Sequence, residues 1–213
     1  MITRSEARGT VPGVILLVCH ANLCRSPMAE HLIRRALLDR LGPEPDPLRA
    51  GSAGTHASAG RSIHPFAARV LAEAGIDTTG FRARRLTADL VAGADLVLTA
   101  TRRQRAACVA FEPAAVRRVF TIAQFGRYAA ALPPPGAPAT GTPRQRLGAL
   151  VERLGLVRGG VPVVPGEQED LADPVHEPIA AFRRCRDAIE PVAGTLAGLI
   201  AASPPAAVSA PEP

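Results

Sequence analysis

The sequence contains no tryptophan and no lysine, and only 3% of its 213 residues are aromatic. A core built from this chain must therefore be mainly aliphatic, and its fixed positive charges are all arginines. The net charge is +6, which suits an acidic substrate but also fits a coding bias toward arginine, and we leave both explanations open. Because there are no interleaved aromatic residues and no recognisable nucleic-acid-binding module, we predict no nucleic acid partner.

Long apolar runs are also missing, since no stretch approaches the 18 or so residues that a membrane-spanning helix needs. The apolar run at residues 14–18 is too short for a signal-peptide core, and residues 1–13 form a polar leader that we expect to be frayed. The four cysteines have no regular spacing and do not predict a disulfide framework. We therefore predict a cytoplasmic protein without a membrane partner.

Metal-binding motifs are absent as well. The five histidines show neither an HExxH pattern nor a Cys/His cluster with metal spacing. We predict no metal and no other cofactor.

The order of the predicted elements indicates an α/β fold. Apolar runs that predict strands (14–18, 48–53, 95–99 and 117–122) alternate with helical patterns (27–41, 65–75, 87–92, 101–111 and 179–201). This alternation is typical of a doubly wound four-stranded parallel sheet with helices on both faces. We expect one domain over residues 1–201, followed by a disordered Pro/Ala tail at 202–213.

One segment, residues 129–165, interrupts this pattern. It begins with a proline-rich spacer and contains a helical pattern at 144–154. We interpret it as an insertion and expect a tolerated surface excursion, with a lid or a partner site as the alternative.

The strand at 14–18, the loop after it and the helix that follows contain the groups that phosphoryl chemistry requires. Ser26 and Pro27 predict a helix start, with Ser26 as N-cap and Pro27 at the first helical position. A helix N-terminus favours an anion in the preceding loop. Cys19 is the candidate nucleophile, and this environment favours its thiolate.

Three further residues complete the candidate loop. Arg25 can hold two phosphate oxygens at once with its planar guanidinium. The Ser26 hydroxyl can donate a hydrogen bond to the thiolate, and Asn22 tolerates the left-handed backbone angles that a tight loop needs. The bare Cys-x5-Arg pattern is weak evidence, however, and Cys19 and Cys24 could instead be small buried side chains at a strand end.

The sequence of this loop resembles the signature of a known family. The sequence C-H-A-N-L-C-R-S-P-M-A-E at 19–30 is similar to the signature of the low-molecular-weight protein tyrosine phosphatases. The resemblance continues, in family order, through S-A-G-T (52–55), A-G-I-D (74–77), R-L-T (85–87), A-D-L-V-L-T (94–99) and D-L-A-D-P (170–174). It covers residues 14–128 and 165–200.

The resemblance implies both a fold and a mechanism. The fold is the doubly wound phosphatase fold, and the reaction is hydrolysis of phosphotyrosine through a cysteinyl-phosphate intermediate, with Asp173 as acid and then base. The phosphate-binding loop would consist of seven residues: His20, Ala21, Asn22, Leu23, Cys24, Arg25 and Ser26. Cys24 would be a redox partner that closes reversibly onto Cys19, although a purely structural role for it is equally open. Asp170 would have a supporting role, and the protein would be a monomer or weak dimer.

Some positions depart from the family pattern. Ala21 replaces a common glycine, and the aromatic residues that often follow the D-P motif are missing, since Val175, His176 and Glu177 stand there. Aromatic walls would stack on a phosphotyrosine ring. The nearby candidates for such walls are Phe81, Phe125 and Tyr128. The short form of residues 52–60 resembles the bacterial branch associated with exopolysaccharide tyrosine kinases.

Three alternatives follow from these departures. The first is a phosphatase for a small phosphomonoester other than phosphotyrosine. The second is a thiol-coupled arsenate reductase, which needs a relay of two further cysteines. Cys108 stands near one required position, but Thr101 occupies the other. The third is a non-catalytic phosphate-binding module, which the presence of Cys19, Arg25 and Asp173 argues against.

Overall fold

A four-stranded parallel sheet forms the centre of the protein. The computed structural model describes residues 13–42, 48–134 and 140–201. The strands are β1 (Val14–Cys19), β2 (Arg49–Gly54), β3 (Leu96–Thr99) and β4 (Val119–Thr121), in the order β2-β1-β3-β4. All three strand pairings are parallel. The predicted fold class is confirmed.

β1 lies inside the sheet and is buried on both faces. Ile15 and Leu17 contribute to one hydrophobic cluster, and Leu16 and Val18 contribute to a second cluster on the opposite face. A strand that is covered on both sides needs a continuous apolar run, which explains the sequence V-I-L-L-V. The carboxyl end of this strand is therefore held rigidly, and it ends at Cys19.

Within the described residues, seven α-helices flank the sheet. They are α1 (Arg25–Leu41), α2 (Pro65–Glu73), α3 (Ala88–Ala92), α4 (Arg102–Phe111), α5 (Ile122–Ala130), α6 (Pro143–Val157) and α7 (Ile179–Ile200). Residues of α3 and α4 pack on the Leu16 face, whereas the other five helices pack on the Ile15 face. Within the described ranges no helix combines the length and apolar character that a membrane crossing requires.

Two boundaries near the end of the sheet differ from the prediction. The strand expected at 117–122 is only three residues long, because Pro113–Arg117 forms a 3-10 turn in front of it. The segment after it, for which the sequence pattern predicted no definite helix, is the helix α5 (Ile122–Ala130). Thr121 and Gln124 form a reciprocal capping box that starts α5.

Helix α6 belongs to the core, so the expected surface excursion is wrong for this part of 129–165. Leu147, Leu150 and Leu154 are almost fully buried, and they join the same cluster as Ile15. Arg146 Nε also donates to the carbonyl of Ile200 at 2.6 Å, which ties α6 to the end of α7. The proline-rich residues 135–139, the leader at 1–12 and the tail at 202–213 lie outside the described residues.

Candidate active site

Cys19 ends β1, and the loop that follows leads directly into α1. The helix begins at Arg25 with Cys24 as N-cap, and no side chain caps it. The prediction that Ser26 is the N-cap is therefore wrong. Ser26 lies in the first turn, where its hydroxyl donates to Cys19 Sγ at 3.0 Å instead of capping the helix.

Two donors point at the Cys19 sulfur. Besides the Ser26 hydroxyl, the backbone N–H of Asn22 donates to Sγ across 3.3 Å. Both hydrogen bonds, together with the N-terminus of α1, direct partial positive charge toward the sulfur. Cys19 itself is 2% exposed, but it lines a cavity of about 220 Å³. The candidate nucleophile is thus sheltered, but it opens onto a space for a ligand.

Asn22 fixes the shape of the loop. Its backbone has a φ of 55°, the left-handed conformation that asparagine tolerates better than most residues. Its side-chain amide donates to Ser26 Oγ at 3.0 Å and to Ser52 Oγ at 2.8 Å. Its side-chain oxygen Oδ1 accepts a hydrogen bond from the backbone N–H of Arg84 at 2.9 Å. All of its side-chain bonds are internal, because the residue is completely buried.

The edge strand β2 packs against this loop. The N–H of Thr55 donates to the Cys19 carbonyl at 3.0 Å, and the N–H of His56 donates to the His20 carbonyl at 2.8 Å. Gly54 lies so close that a Cβ there would be 2.6 Å from the His20 carbonyl oxygen and 2.7 Å from Asn22 N. This position therefore requires glycine for lack of space.

Arg25 joins the loop to the predicted acid. It is 5% exposed, and its NH2 lies 2.5 Å from Asp173 Oδ2. Its NH1 donates to the carbonyl of Leu171 at 3.0 Å. Arg25 Nε is buried and has no hydrogen-bond partner among the described residues. The structure thus brings Cys19, Arg25 and Asp173 together at one cavity.

The segment that contains Asp173 is anchored to the carboxyl end of β3. Asp170 accepts from the backbone N–H of Arg102 at 2.7 Å and pairs with its guanidinium at 3.3 Å. The N–H of Leu171 donates to the carbonyl of Ala100 at 2.8 Å. Asp170 therefore has a positioning contact, and the Asp173 side chain remains 41% exposed at the cavity rim.

The cavity wall contains one residue, Arg61, that the sequence did not indicate. Five of the seven predicted loop residues line it, and these are His20, Ala21, Leu23, Cys24 and Arg25. Arg61, Val175 and His176 line it as well. Arg61 was missed because it lies far along the chain, and its only signal was a basic residue in a loop rich in Gly, Ala and Ser.

None of the three predicted aromatic candidates lines this cavity. Phe125 is fully buried in the core, and Tyr128 packs edge-on against Phe120 with ring centroids 6.0 Å apart. Phe81 lines a different cavity. The rings at the active-site cavity are instead imidazoles, and one of them, His20, stacks on His56 at 4.5 Å.

The other three cysteines are buried thiols. Burial raises the pKa of Cys24 to about 12, with Asp173 adding to the shift. Burial also raises the pKa values of Cys108 and Cys185 to about 12. Cys108 belongs to the cluster on the Leu16 face, whereas Cys24 belongs to the cluster on the opposite face of the sheet. This separation adds to the argument against a cysteine relay of the arsenate reductase type.

The comparison with known proteins gives the same family throughout. The family model for low molecular weight phosphotyrosine protein phosphatases matches residues 14–133. A relative from Ralstonia nicotianae, named as the probable low molecular weight protein-tyrosine-phosphatase EpsP, is 34% identical over 147 residues, which is 69% of this chain and 90% of that protein. The low molecular weight protein-tyrosine-phosphatase Wzb of Escherichia coli K12 is 40% identical over 89 residues, which is 42% of this chain and 55% of Wzb.

Solved structures agree with the fold. The YwlE arginine phosphatase from Geobacillus stearothermophilus aligns with a TM-score of 0.61 and 28% identity, covering 88% of this chain and 92% of that one. The Erwinia amylovora tyrosine phosphatase AmsI aligns with the same TM-score of 0.61 and 22% identity, covering 90% of this chain and 95% of that one. At that identity the likeness to AmsI supports the fold alone. With the family model matching more than half of its length, the chain belongs to the low molecular weight phosphotyrosine protein phosphatase family.

Proposed function

We propose that the protein hydrolyses phosphotyrosine in protein substrates by two successive displacements at phosphorus, with Cys19 as the nucleophile of the first. The observation that carries this proposal is the convergence of two hydrogen-bond donors on Cys19 Sγ with the Arg25–Asp173 pair at the same cavity. A nucleophile, an anion-binding guanidinium and a partly exposed carboxylic acid are the groups that a cysteinyl-phosphate route requires.

In the first step the Cys19 thiolate attacks phosphorus in line with the tyrosyl oxygen. The S–P bond forms as the P–O bond to tyrosine breaks. Arg25 and the N–H groups of the loop neutralise the equatorial oxygens, for which the unpartnered Arg25 Nε supplies a donor. Asp173 gives its proton to the departing phenolate oxygen, so that tyrosine leaves as a neutral hydroxyl.

In the second step Asp173, now a carboxylate, takes a proton from water. The resulting hydroxide attacks phosphorus, the S–P bond breaks, and inorganic phosphate is released. The departing Cys19 thiolate is stabilised by the Ser26 hydroxyl, which lies 3.0 Å from Sγ. The same donor therefore assists the sulfur both as nucleophile and as leaving group.

The proposal also covers the cellular compartment, the oligomeric state and the domain organisation. We infer a bacterial cytoplasmic enzyme that acts as a monomer or weak dimer, with residues 1–201 as one domain and 129–165 as an insertion. All four cysteines are free, which suits a reducing compartment. The named relatives that match are bacterial proteins.

A second candidate substrate is a phosphomonoester without an aromatic ring. The observation that favours it is the wall of the cavity, which contains no Phe, Tyr or Trp among the described residues. A phosphotyrosine ring would then lose stacking worth about 0.5–1.5 kcal/mol. Because a similar solved structure is an arginine phosphatase, a phosphoarginine peptide belongs in the same assay.

The test is a turnover assay without added metal, at mildly acidic to neutral pH. A phosphotyrosine peptide, a phosphoarginine peptide and a panel of aliphatic phosphate esters are compared. We expect the phosphotyrosine peptide to be preferred, Cys19→Ser to be inactive, and the matched variant Cys24→Ser to retain activity. If only aliphatic esters turn over, the phosphotyrosine proposal is wrong and the second candidate takes its place. If nothing turns over while phosphate binds, a binding module is the better interpretation.

A further inference from the structure

A second cavity, of about 440 Å³, lies beside the active-site loop and shares no lining residue with the active-site cavity. It is formed by residues of α1, by β2 and by the segment at 79–84. The residues that matter for what it could bind are Glu30, His31, Arg34, Ser52, Arg82 and Arg84. Its volume is within the range of small-molecule sites.

Three guanidinium groups line this cavity, against one carboxylate. Arg34 NH2 pairs with the buried carboxylate of Glu30 at 2.6 Å. Arg84 Nε donates to the Ser52 carbonyl at 2.6 Å, and Arg82 NH1 donates to a backbone carbonyl at 2.7 Å. Within the described residues neither Arg82 nor Arg84 has a carboxylate partner. The lining therefore carries a net positive charge, which favours an anion.

His31 adds an unsatisfied polar atom to the wall. The residue is 9% exposed, and its buried Nε2 has no hydrogen-bond partner among the described residues. A buried polar atom without a partner is unfavourable, and such an atom marks a place where a ligand could supply one. The ring of Phe81 lies 6.1 Å from the imidazole and also lines the cavity.

The cavity is connected to the nucleophile through three side chains. Ser52, which lines it, donates to Glu30 Oε2 at 2.5 Å and accepts from Asn22 at 2.8 Å. Asn22 also donates to Ser26 at 3.0 Å, and Ser26 donates to Cys19 Sγ at 3.0 Å. Every link in this chain is buried, so it is little screened by solvent.

From these contacts we propose that the cavity is a second anion site for a small, multiply charged phosphoryl compound of the pyrophosphate class. Such an anion would bridge Arg34, Arg82 and Arg84 and compete with Glu30 for Arg34. It would also leave the charge of Glu30 less compensated, and this additional negative potential acts through the hydrogen-bonded chain on Cys19 and the loop around it. Occupation of the site therefore lowers turnover. The effect on turnover rests on the function proposed above, whereas the binding itself does not.

Binding is tested by isothermal titration with imidodiphosphate, a pyrophosphate analogue with a P–N–P bridge. The active site is first blocked by alkylating Cys19 with iodoacetamide. We expect one molecule bound per blocked chain, and Arg82→Ala to weaken this binding by at least about tenfold, the loss of one charge-assisted hydrogen bond. Arg103→Ala removes an exposed arginine on α4 and is the matched control, with no expected change. No binding to the blocked chain, or equal effects of the two substitutions, would refute the site.

Turnover is tested with p-nitrophenyl phosphate at saturating substrate. We expect imidodiphosphate to lower kcat in the parent protein and in Arg103→Ala, but not in Arg82→Ala, whose side chain does not line the active-site cavity. Purely competitive inhibition in all three proteins would overturn the coupling. If the protein does not turn over any substrate, the proposed function fails, but the titration still decides whether the anion site exists.

Discussion

Replacement of Asn22 is the most direct test of how the active-site loop is held. The buried side chain makes three hydrogen bonds, to Ser26, Ser52 and the backbone of Arg84. Asn22→Ala removes all three and also forces an alanine into a backbone with a φ of 55°. Asn22→Gly removes the same bonds but accepts the backbone angle without strain. Asn22→Asp keeps the acceptor for Arg84 and loses both donors.

The expected magnitudes follow from these contacts. Three buried hydrogen bonds at about 1 kcal/mol each give a loss of about 3 kcal/mol in the free energy of unfolding for the glycine variant. Alanine in the left-handed region adds about 1 kcal/mol, for a total of about 4 kcal/mol. In Asn22→Asp, the new carboxylate draws the Ser26 hydroxyl away from Cys19 Sγ. The loss of a hydrogen bond to a charged sulfur, at about 1.5–3 kcal/mol, corresponds to a fall of about 10- to 150-fold in kcat/KM.

Urea unfolding gives the stabilities, and turnover of p-nitrophenyl phosphate gives kcat/KM. The rate at which iodoacetamide alkylates Cys19 reports the thiolate independently of turnover. If Asn22→Ala unfolds at the same urea midpoint as the parent protein, the loop does not depend on these bonds. If the glycine variant is no more stable than the alanine variant, the strain argument fails. An Asn22→Asp variant with unchanged alkylation would show that Ser26 does not support the thiolate.

Three further outcomes can be checked. Asp173→Asn should lower kcat on a phosphotyrosine peptide by about 10²–10⁴-fold and have less effect on p-nitrophenyl phosphate, whose leaving group needs less protonation; equal losses on both substrates would argue against an acid at this position. Arg61→Gln should raise KM about two- to fivefold for phosphopeptides with acidic neighbours and leave p-nitrophenyl phosphate unchanged, and a parallel change in both would assign Arg61 another role. A thiol reagent near neutral pH should label Cys19 alone in the folded protein, because Cys24, Cys108 and Cys185 are buried with raised pKa values. Folding raises these three pKa values from 9.0 to about 12, so the stability they contribute is complete below pH 9.0 and is lost as the pH approaches about 12. Thermal unfolding across that range would show this loss as a falling Tm.

The local parts of the site could be predicted from the sequence. The apolar strand, the loop and the helix are contiguous, so their spacing alone places Cys19 before a helix N-terminus and Arg25 near the same anion. The position of Asp173 needed the family resemblance, because nothing local distinguishes it from other acidic residues. The start of α1 was misjudged because Ser26 suits an N-cap by its residue type, whereas here its hydroxyl is occupied by the Cys19 sulfur.

The long-range contacts could not be predicted. Ser52 pairs with Glu30, and Arg61 reaches the cavity, only after the sheet has formed. The helical pattern in 129–165 was visible, but the pattern does not reveal which surface the helix covers. Its leucines fill the core beside α7 because a strongly apolar helix face is more stable against a neighbouring helix than in water.

Because Gly54 has no side chain, the backbone of β2 contacts the active-site loop directly and helps to fix its shape. At Gly54 the backbone of β2 lies close to the carbonyl of His20 and the N–H of Asn22. That N–H is one of the two donors to the Cys19 sulfur. A methyl group added at this position would push that donor away from the sulfur without changing any catalytic side chain. The reactivity of the thiol is therefore set partly by an edge strand that supplies no catalytic atom, and Gly54→Ala should yield a folded protein with a weakened nucleophile.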